Sequence, residues 1–111
     1  MAAVPLQEKP VHKDEVVRER FERLAADWER AVAHHSSESI RTQHPAYREI
    51  ISLGPAVIPL LFRDMESHQR HWFAALSALT GASPVASADA GRIPSMIEAW
   101  LKWGRDNGFQ W

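Results

Sequence analysis

Apolar residues in the first third of the chain recur at a helical spacing. Five of them are three or four residues apart and so share one stripe of an α-helix: Val17, Phe21, Leu24, Trp28 and Val32. The remaining positions are rich in Arg, Glu and Asp, which can pair at i,i+3 and i,i+4. The spacing predicts an amphipathic helix from residue 13 to about residue 34, packed on a core through its apolar stripe.

The stretches on either side of this helix have a different character. Residues 1–12 contain Pro5 and Pro10 and few apolar side chains of core size, so we expect a flexible leader before one helical domain over residues 13–111. After residue 34 the pattern stops. The adjacent Ser36 and Ser37 favour a helix end or a turn, because their hydroxyls compete for backbone groups.

Three prolines, Pro45, Pro55 and Pro59, mark the next part of the pattern. A helix is predicted over residues 45–53, starting at Pro45 and ended by Gly54. Pro55 and Pro59 then fall at or near the first turn of a further helix over residues 55–66, where missing N–H groups cost little. We expect Pro59 to kink or tighten that turn. The pattern predicts two antiparallel helices that meet at a tight corner.

The rest of the chain predicts two further helices, over residues 70–79 and 93–107. They are separated by a loop with the sequence TGASPVASADAGR, which is rich in Gly, Ser, Ala and Pro. No segment alternates with a period of two. The fold class predicted is therefore all-α, a short bundle of about four to five helices.

Several motifs in this pattern resemble those of a known group of helical proteins. The segments YREIISLGPAVIPLLFRDMES and HWFAALSALTG resemble a bacterial HEAT-like repeat. The longer stretch over residues 21–108, with HPAY, HWF and the later AWLKWG, resembles a family of small bacterial HEAT-like proteins. The resemblance implies a helical-repeat shape and a role in binding, and it implies no catalytic residues. Since a solenoid needs about three repeats and this chain has one to two, the first and last helices are expected to act as caps.

Charge and composition narrow the classes of function. The chain has 13 Lys and Arg, 14 Asp and Glu, and a formal net charge of −1, with neither half strongly basic. This balance argues against binding driven by phosphate contacts. A nucleic-acid-binding accessory protein is the alternative function, because the first helix carries Arg18, Arg20, Arg23 and Arg30, although acidic residues are interleaved with them.

The absence of cysteine excludes disulfides, thiolate catalysis and thiolate zinc sites. No apolar run approaches the roughly 18 residues that span a bilayer, and the N-terminal residues lack a signal-peptide pattern. A cytoplasmic location is the expectation.

Histidines are the candidate metal ligands. His68 and His71 are three residues apart, and His44 or the pair His34 and His35 could add a ligand. No third ligand stands at a fixed offset, so we predict structural roles and neither a metal nor another cofactor. His44 precedes a helix start, where its ring can cap backbone N–H groups.

The sequence gives even less support for catalytic residues than for metal ligands. Asp64, Glu66 and Asp89 flank predicted loops, where a shifted pKa would be needed for acid–base work. Ser36 and Ser37 directly follow two histidines, and side chains adjacent in sequence do not build a catalytic triad. We expect no enzymatic activity.

Aromatic residues give the candidate binding surface. Of the five tryptophans, Trp28, Trp72 and Trp100 fall on predicted inner faces. We expect partial exposure for the aromatic residues at the end of the chain, because exposed Trp is typical of interface hot spots. The predicted partner-binding residues are Trp103, Phe109 and Trp111, together with Trp100 and with His44 and Tyr47 of the HPAY motif. The predicted function is protein binding, as the neutralising or adaptor partner of another bacterial protein such as a toxin, or as a homodimer.

Overall fold

The computed structural model describes residues 11–111 of the chain. Within this part the fold is all-α and contains no strand, which confirms the predicted fold class. The helices are α1 (Val11–Val32), α2 (Glu38–Gln43), α3 (Pro45–Ser52), α4 (Ile58–His68), α5 (Phe73–Thr80) and α6 (Ile93–Asp106). The predicted leader, residues 1–12, lies outside the described residues except for its last two, which belong to α1. No helix of the described part is both long and apolar enough to cross a membrane.

The predicted stripe of α1 packs against the rest of the protein. Phe21, Trp28 and Val32 are buried and Leu24 is partly buried, while most of the charged residues remain exposed. Trp72 meets this stripe from the other side of the core, with its ring centroid 4.8 Å from that of Trp28. The aromatic core is completed by Tyr47, 5.4 Å from Trp72. Periodicity was sufficient to predict this helix because its burial is one-sided.

One helix was missed. The turn predicted after residue 34 is instead followed by α2, which buries none of its residues. Tertiary contacts hold α2 in place: the indole Nε1 of Trp28 donates to the Arg41 carbonyl at 2.7 Å, and the Arg41 guanidinium lies 5.1 Å from the Trp28 ring. Because α2 has no apolar stripe, its sequence shows no helical periodicity from which the helix could be predicted.

The corner at Gly54 and Pro55 is confirmed, with a change in what the two helices contact. Gly54 has φ of 85°, a left-handed conformation that only glycine adopts cheaply. A single 3₁₀ turn over Pro55–Val57 then leads into α4, with Pro59 in its first turn. However, α3 packs mainly on α1 and α5, whereas α4 packs mainly on α6. The predicted antiparallel pair is therefore not the main packing unit.

The two last helices follow the predictions with one shifted boundary. α5 begins at Phe73, three residues late, because Gln69 adopts a left-handed conformation with φ of 57° and the chain turns before Trp72. α6 matches its predicted range to within one residue. Between them, the predicted loop contains one 3₁₀ turn over Ser87–Asp89.

Candidate functional site

The aromatic residues at the end of the chain form one cluster with α4. We name Phe62, Trp103, Phe109 and Trp111 the C-terminal aromatic cluster. The Phe62 ring lies 4.7 Å from Trp111 and 5.8 Å from Phe109, and Trp103 lies 5.8 Å from Phe109. The tail therefore folds back on α4 and α6.

A glycine in α6 makes this close packing possible. A Cβ atom added at the buried Gly104 would lie 2.8 Å from Phe62 and 3.0 Å from Trp111. Any larger residue would push the rings apart, since real Cβ atoms do not come so close.

Polar contacts fix Trp111 at the end of the chain. Its indole Nε1 donates to Glu66 Oε1 at 2.9 Å, and Arg105 donates to the other oxygen of Glu66, also at 2.9 Å. The Arg105 guanidinium lies 5.1 Å from the Trp111 ring, a cation–π distance. The predicted partial exposure of Trp103, Phe109 and Trp111 is confirmed. Much of their apolar surface nevertheless covers the protein's own core.

Two of the predicted binding residues are interior residues. Trp100 is 2% exposed and Tyr47 is 0% exposed, so neither offers surface to a partner in this conformation. The Tyr47 hydroxyl accepts from the Ala75 N–H at 3.0 Å. Burial raises the pKa of the Tyr47 hydroxyl far above its usual range. Placing these two residues in the binding surface was wrong.

His44 has the structural role expected from its position before a helix. Its Nδ1 accepts from the Ala46 N–H at 3.0 Å, which satisfies one of the free donors at the start of α3. The side chain is partly buried by this arrangement. Capping accounts for this histidine without assigning it a ligand.

Asp64 collects hydrogen-bond donors from three side chains. Trp72 Nε1 donates to its Oδ2 at 2.7 Å, Arg70 Nη1 lies 3.0 Å from Oδ1, and His68 Nδ1 lies 3.0 Å from Oδ1. Arg70 also lies 3.3 Å from Glu29 on α1. The carboxylate of Asp64 is thus engaged on both oxygens and ties α4 to the segment that leads into α5.

The histidines are distributed between different contacts. His68 belongs to the Asp64 network, whereas the His71 ring stacks on Phe73 with centroids 5.5 Å apart. Within the described residues, no group of three or more His, Asp or Glu side chains is placed to hold a metal ion.

The surface of the described residues carries a groove between α1 and α4. Its α1 wall is one face of the helix, with most residues at steps of three and one: Asp14, Glu15, Val17, Arg18, Phe21, Glu22, Ala25 and Ala26. This face shares Val17 and Phe21 with the apolar stripe of α1 and extends from it toward solvent.

The α4 wall has the same periodic character. It is formed by residues at steps of one and three, again one helix face: Pro59, Leu60, Arg63, Asp64, Ser67 and His68. In the described part of the chain, α1 and α4 are not among each other's main packing partners, which leaves the space between these faces open.

Two adjoining cavities make up this groove. One has a volume of about 370 Å³ and extends to Arg70, and the other has a volume of about 470 Å³ and extends to Phe109. Both are lined by Arg18 and Leu60, so they are neighbours. We name the combined feature the α1–α4 groove. Of the predicted binding residues, Phe109 is the one that lines it.

The groove has an apolar base and walls that carry charges of both signs: Asp14, Glu15, Glu22 and Asp64 as well as Arg18, Arg63 and Arg70. Phe21 and Ala25 are buried at its base, and Leu60 is partly buried. Arg18 and Arg63 stand on opposite walls, both exposed, and neither forms an ion pair with a carboxylate of the described residues. Arg70, by contrast, is paired with Asp64 and Glu29.

Sequence reasoning missed this groove. The two periodic faces are visible in the sequence, but each could equally be a solvated flank of its helix. Only the tertiary arrangement shows that they face one another.

Comparison of the chain with protein-family models, curated proteins and solved structures found no match. The groove is therefore interpreted from its own geometry and charge.

Proposed function

We propose that this protein is a non-catalytic protein–protein interaction module and that the α1–α4 groove is its binding surface. The observation that carries the proposal is the pairing of two periodic helix faces across two adjoining open cavities with an apolar base. Peptide helices bind to such grooves through residues at i, i+3, i+4 and i+7. An apolar base with a polar rim is also the usual anatomy of a binding site.

The proposed partner is another protein of the same cell, such as a toxin that this chain neutralises, or a second copy of the chain. The HEAT-like motifs support an adaptor role, because helical repeats present grooves between neighbouring helices. The C-terminal aromatic cluster contributes Phe109 to one end of the surface. Phe109 also packs against Phe62 of α4.

Nucleic-acid binding is the weaker alternative. The exposed Arg18, Arg20 and Arg23 of α1 favour it, but Glu19 and Glu22 are exposed on the same helix. A phosphate backbone near this helix would meet like charges as well as opposite ones, which reduces the electrostatic gain.

The experiment that tests the proposal uses bulky substitutions at the rim. Ala26 and Ala56 line the groove and are exposed, so Ala26→Trp and Ala56→Trp fill the groove without disturbing the core. Ala74→Trp is the matched control, because Ala74 is exposed on α5 and lies outside the groove. The full chain and each variant are used for affinity purification from the host cell.

The expected result is one stoichiometric partner with the wild type and with Ala74→Trp, and its loss with either groove variant. Light scattering on the purified chain detects the case in which the partner is a second copy. A monomeric chain that recovers no partner would contradict the proposal, as would a partner retained equally by all variants.

A further inference from the structure

We propose that residues 109–111 form a strap that makes the end wall of the α1–α4 groove and opens locally, and that Trp111 is the positioning residue that holds the strap closed. This inference rests on the proposed function, because it concerns the regulation of the same groove. Phe109, the first residue of the strap, lines the groove, whereas Trp111 is not among the described residues that do so. Trp111 therefore acts on the groove through Phe109.

The strap begins at a turn that directs it back along the helices. The Phe109 N–H donates to the Gly104 carbonyl at 2.9 Å. The Gly108 N–H donates to the Arg105 carbonyl at 3.1 Å. This pair of bonds is a Schellman cap, and Gly108 supplies the left-handed conformation that the cap requires, with φ of 86°. In the described part of the chain, a Cβ atom added at Gly108 would meet nothing within 4 Å, so the turn depends on backbone conformation and not on packing.

The other end of the strap is held in a slot between α4 and α6. The Trp111 ring stacks on Phe62 with centroids 4.7 Å apart, and the missing side chain of Gly104 leaves room for it. The indole N–H donates to Glu66, and the Arg105 guanidinium lies against the ring. The same guanidinium binds the second oxygen of Glu66. Both the ring and the N–H of Trp111 thus have partners in the slot.

Phe109 connects this slot with the groove. Its ring lies 5.8 Å from the rings of both Phe62 and Trp103. It also lines the groove cavity of about 470 Å³. Because only one residue separates Phe109 from Trp111, the anchor at Trp111 restrains the position of the Phe109 ring at the end of the groove.

The strap is attached to the outside of the fold. Phe109 and Trp111 are only partly buried, and Gln110 is exposed. The side chains that bind Trp111 through polar contacts are also accessible, 57% for Arg105 and 47% for Glu66. Since exposed ion pairs contribute little to stability, ring packing provides most of the attachment. An element with so few buried contacts opens at a lower free energy than that of global unfolding.

Opening the strap changes the groove at a defined place. Phe109 leaves the end of the groove that Pro55, Ala56 and Pro59 also line. The Phe62 ring, which is 0% exposed with the strap closed, loses its cover. The closed strap therefore sets the boundary of the groove, and the open strap removes it.

Amide hydrogen exchange of the full wild-type chain, followed by NMR, tests whether the strap opens locally. The Phe109 amide reports on the strap, and the Leu76 amide, bonded to the Trp72 carbonyl at 2.9 Å, reports on the core. After correction for intrinsic rates, we expect Phe109 to exchange about tenfold faster than Leu76 and with little dependence on denaturant. Exchange of both amides at the same rate and with the same denaturant dependence would overturn the inference, because the strap would then open only on global unfolding.

Methyl NMR tests whether Trp111 controls the groove. The methyl groups of Ala56 and Leu60, which line the groove together with Phe109, are compared in the wild type and three variants. Trp111→Ala removes the anchor, and Phe109→Ala removes the wall itself. Gln110→Ala is the matched control, because Gln110 is an exposed residue of the same strap. We expect Trp111→Ala to shift both methyl signals in the same direction as Phe109→Ala, since each variant moves the Phe109 ring away, and Gln110→Ala to leave them in place.

The strap inference fails if a folded Trp111→Ala protein keeps the wild-type methyl signals, because Phe109 would then stay in the groove without its anchor. A shift of equal size with Gln110→Ala would also reject it. Should Trp111→Ala not fold, Gly108→Ala decides. That variant retains both aromatic residues and strains the left-handed turn, so it should shift the Ala56 and Leu60 signals in the direction that Phe109→Ala does. Unshifted signals in Gly108→Ala would then reject the inference.

These measurements need no partner, so their failure is distinguishable from that of the proposed function. A cellular partner that is lost with Ala26→Trp but bound equally by the wild type and Trp111→Ala, with unshifted methyl signals, would retain the interaction module and reject the strap. Local opening and shifted methyl signals in a chain that recovers no partner would retain the strap and reject the interaction module.

Discussion

The indole N–H of Trp72 donates to Oδ2 of Asp64 over 2.7 Å and so joins the aromatic core to the wall of the α1–α4 groove. Trp72 is 0% exposed and contacts Phe21, Trp28 and Tyr47, while the Asp64 side chain is 10% exposed. The hydrogen bond leaves the indole satisfied inside the core. It also fixes Asp64 in the α4 wall. The side chains of His68, Arg70 and Trp72 together surround its carboxylate.

Neutralising this carboxylate should destabilise the fold. We expect Asp64→Asn to lower the free energy of unfolding by about 2 kcal/mol, because a partly buried Arg70 loses one of its two counter-charges and an amide cannot accept on both sides. Urea denaturation measures the change. Asp106→Asn is the control: its pairing with Lys102 is exposed, so the loss should stay within about 0.5 kcal/mol. Equal effects of the two substitutions would show that Asp64 does not organise this region.

Gly104 is expected to be intolerant of even a methyl group. In Gly104→Ala the new Cβ would meet Phe62 at 2.8 Å, so we expect a loss of about 1–3 kcal/mol despite alanine's better helix propensity. Because a smaller side chain at position 62 relieves the contact, Gly104→Ala should cost much less when combined with Phe62→Leu. A double-mutant cycle by thermal denaturation measures this coupling. Additive effects would contradict the close approach.

The single tyrosine of the chain should report on alkaline unfolding. Burial raises the pKa of Tyr47 in the folded protein above its value of about 10 in the unfolded chain, so the folded state holds the proton more tightly. Its contribution to stability is complete below about pH 10 and is lost as the pH rises further. Tyrosinate absorbance should therefore appear together with the loss of helical circular dichroism.

Tyr47→Phe is the control for this pH dependence, since it removes the titrating group and leaves other alkaline effects in place. Its stability should fall less steeply above about pH 10 than that of the wild type. Tyrosinate forming in a chain that is still fully helical would show that the hydroxyl is accessible.

His44 is expected to contribute as a helix cap. His44→Ala removes the acceptor for the Ala46 N–H, and we expect a loss of about 1 kcal/mol, whereas His44→Asn should retain most of the stability because it supplies another acceptor. His34→Ala, at an exposed turn, is the matched histidine control and should be neutral. Chemical denaturation of the three variants checks the order. A loss with Asn as large as with Ala would show that capping is not the reason.

Local pattern was enough for most of the secondary structure. The stripe of α1, the Pro45 start of α3 and the corner at Gly54 all depend on interactions within a few residues, so the sequence predicts them. The cap at His44 could be expected for the same reason, as it joins neighbours in the chain. α2 could not be predicted, because the contacts that hold it in place include residues far apart in the sequence, such as the hydrogen bond between Trp28 and the Arg41 carbonyl across 13 residues.

The sequence by itself determined the all-α class, most of the helices, and the partly exposed aromatic residues near the end of the chain. Only the tertiary structure decided what those side chains face: Trp100 and Tyr47 lie inside, Trp111 is held by Glu66, and Arg18 stands opposite Arg63 across a groove. The physical reason is the difference in sequence separation between the interacting residues. Helix periodicity and capping are set by residues one turn apart, whereas burial and charge pairing depend on which helices become neighbours after the chain has folded.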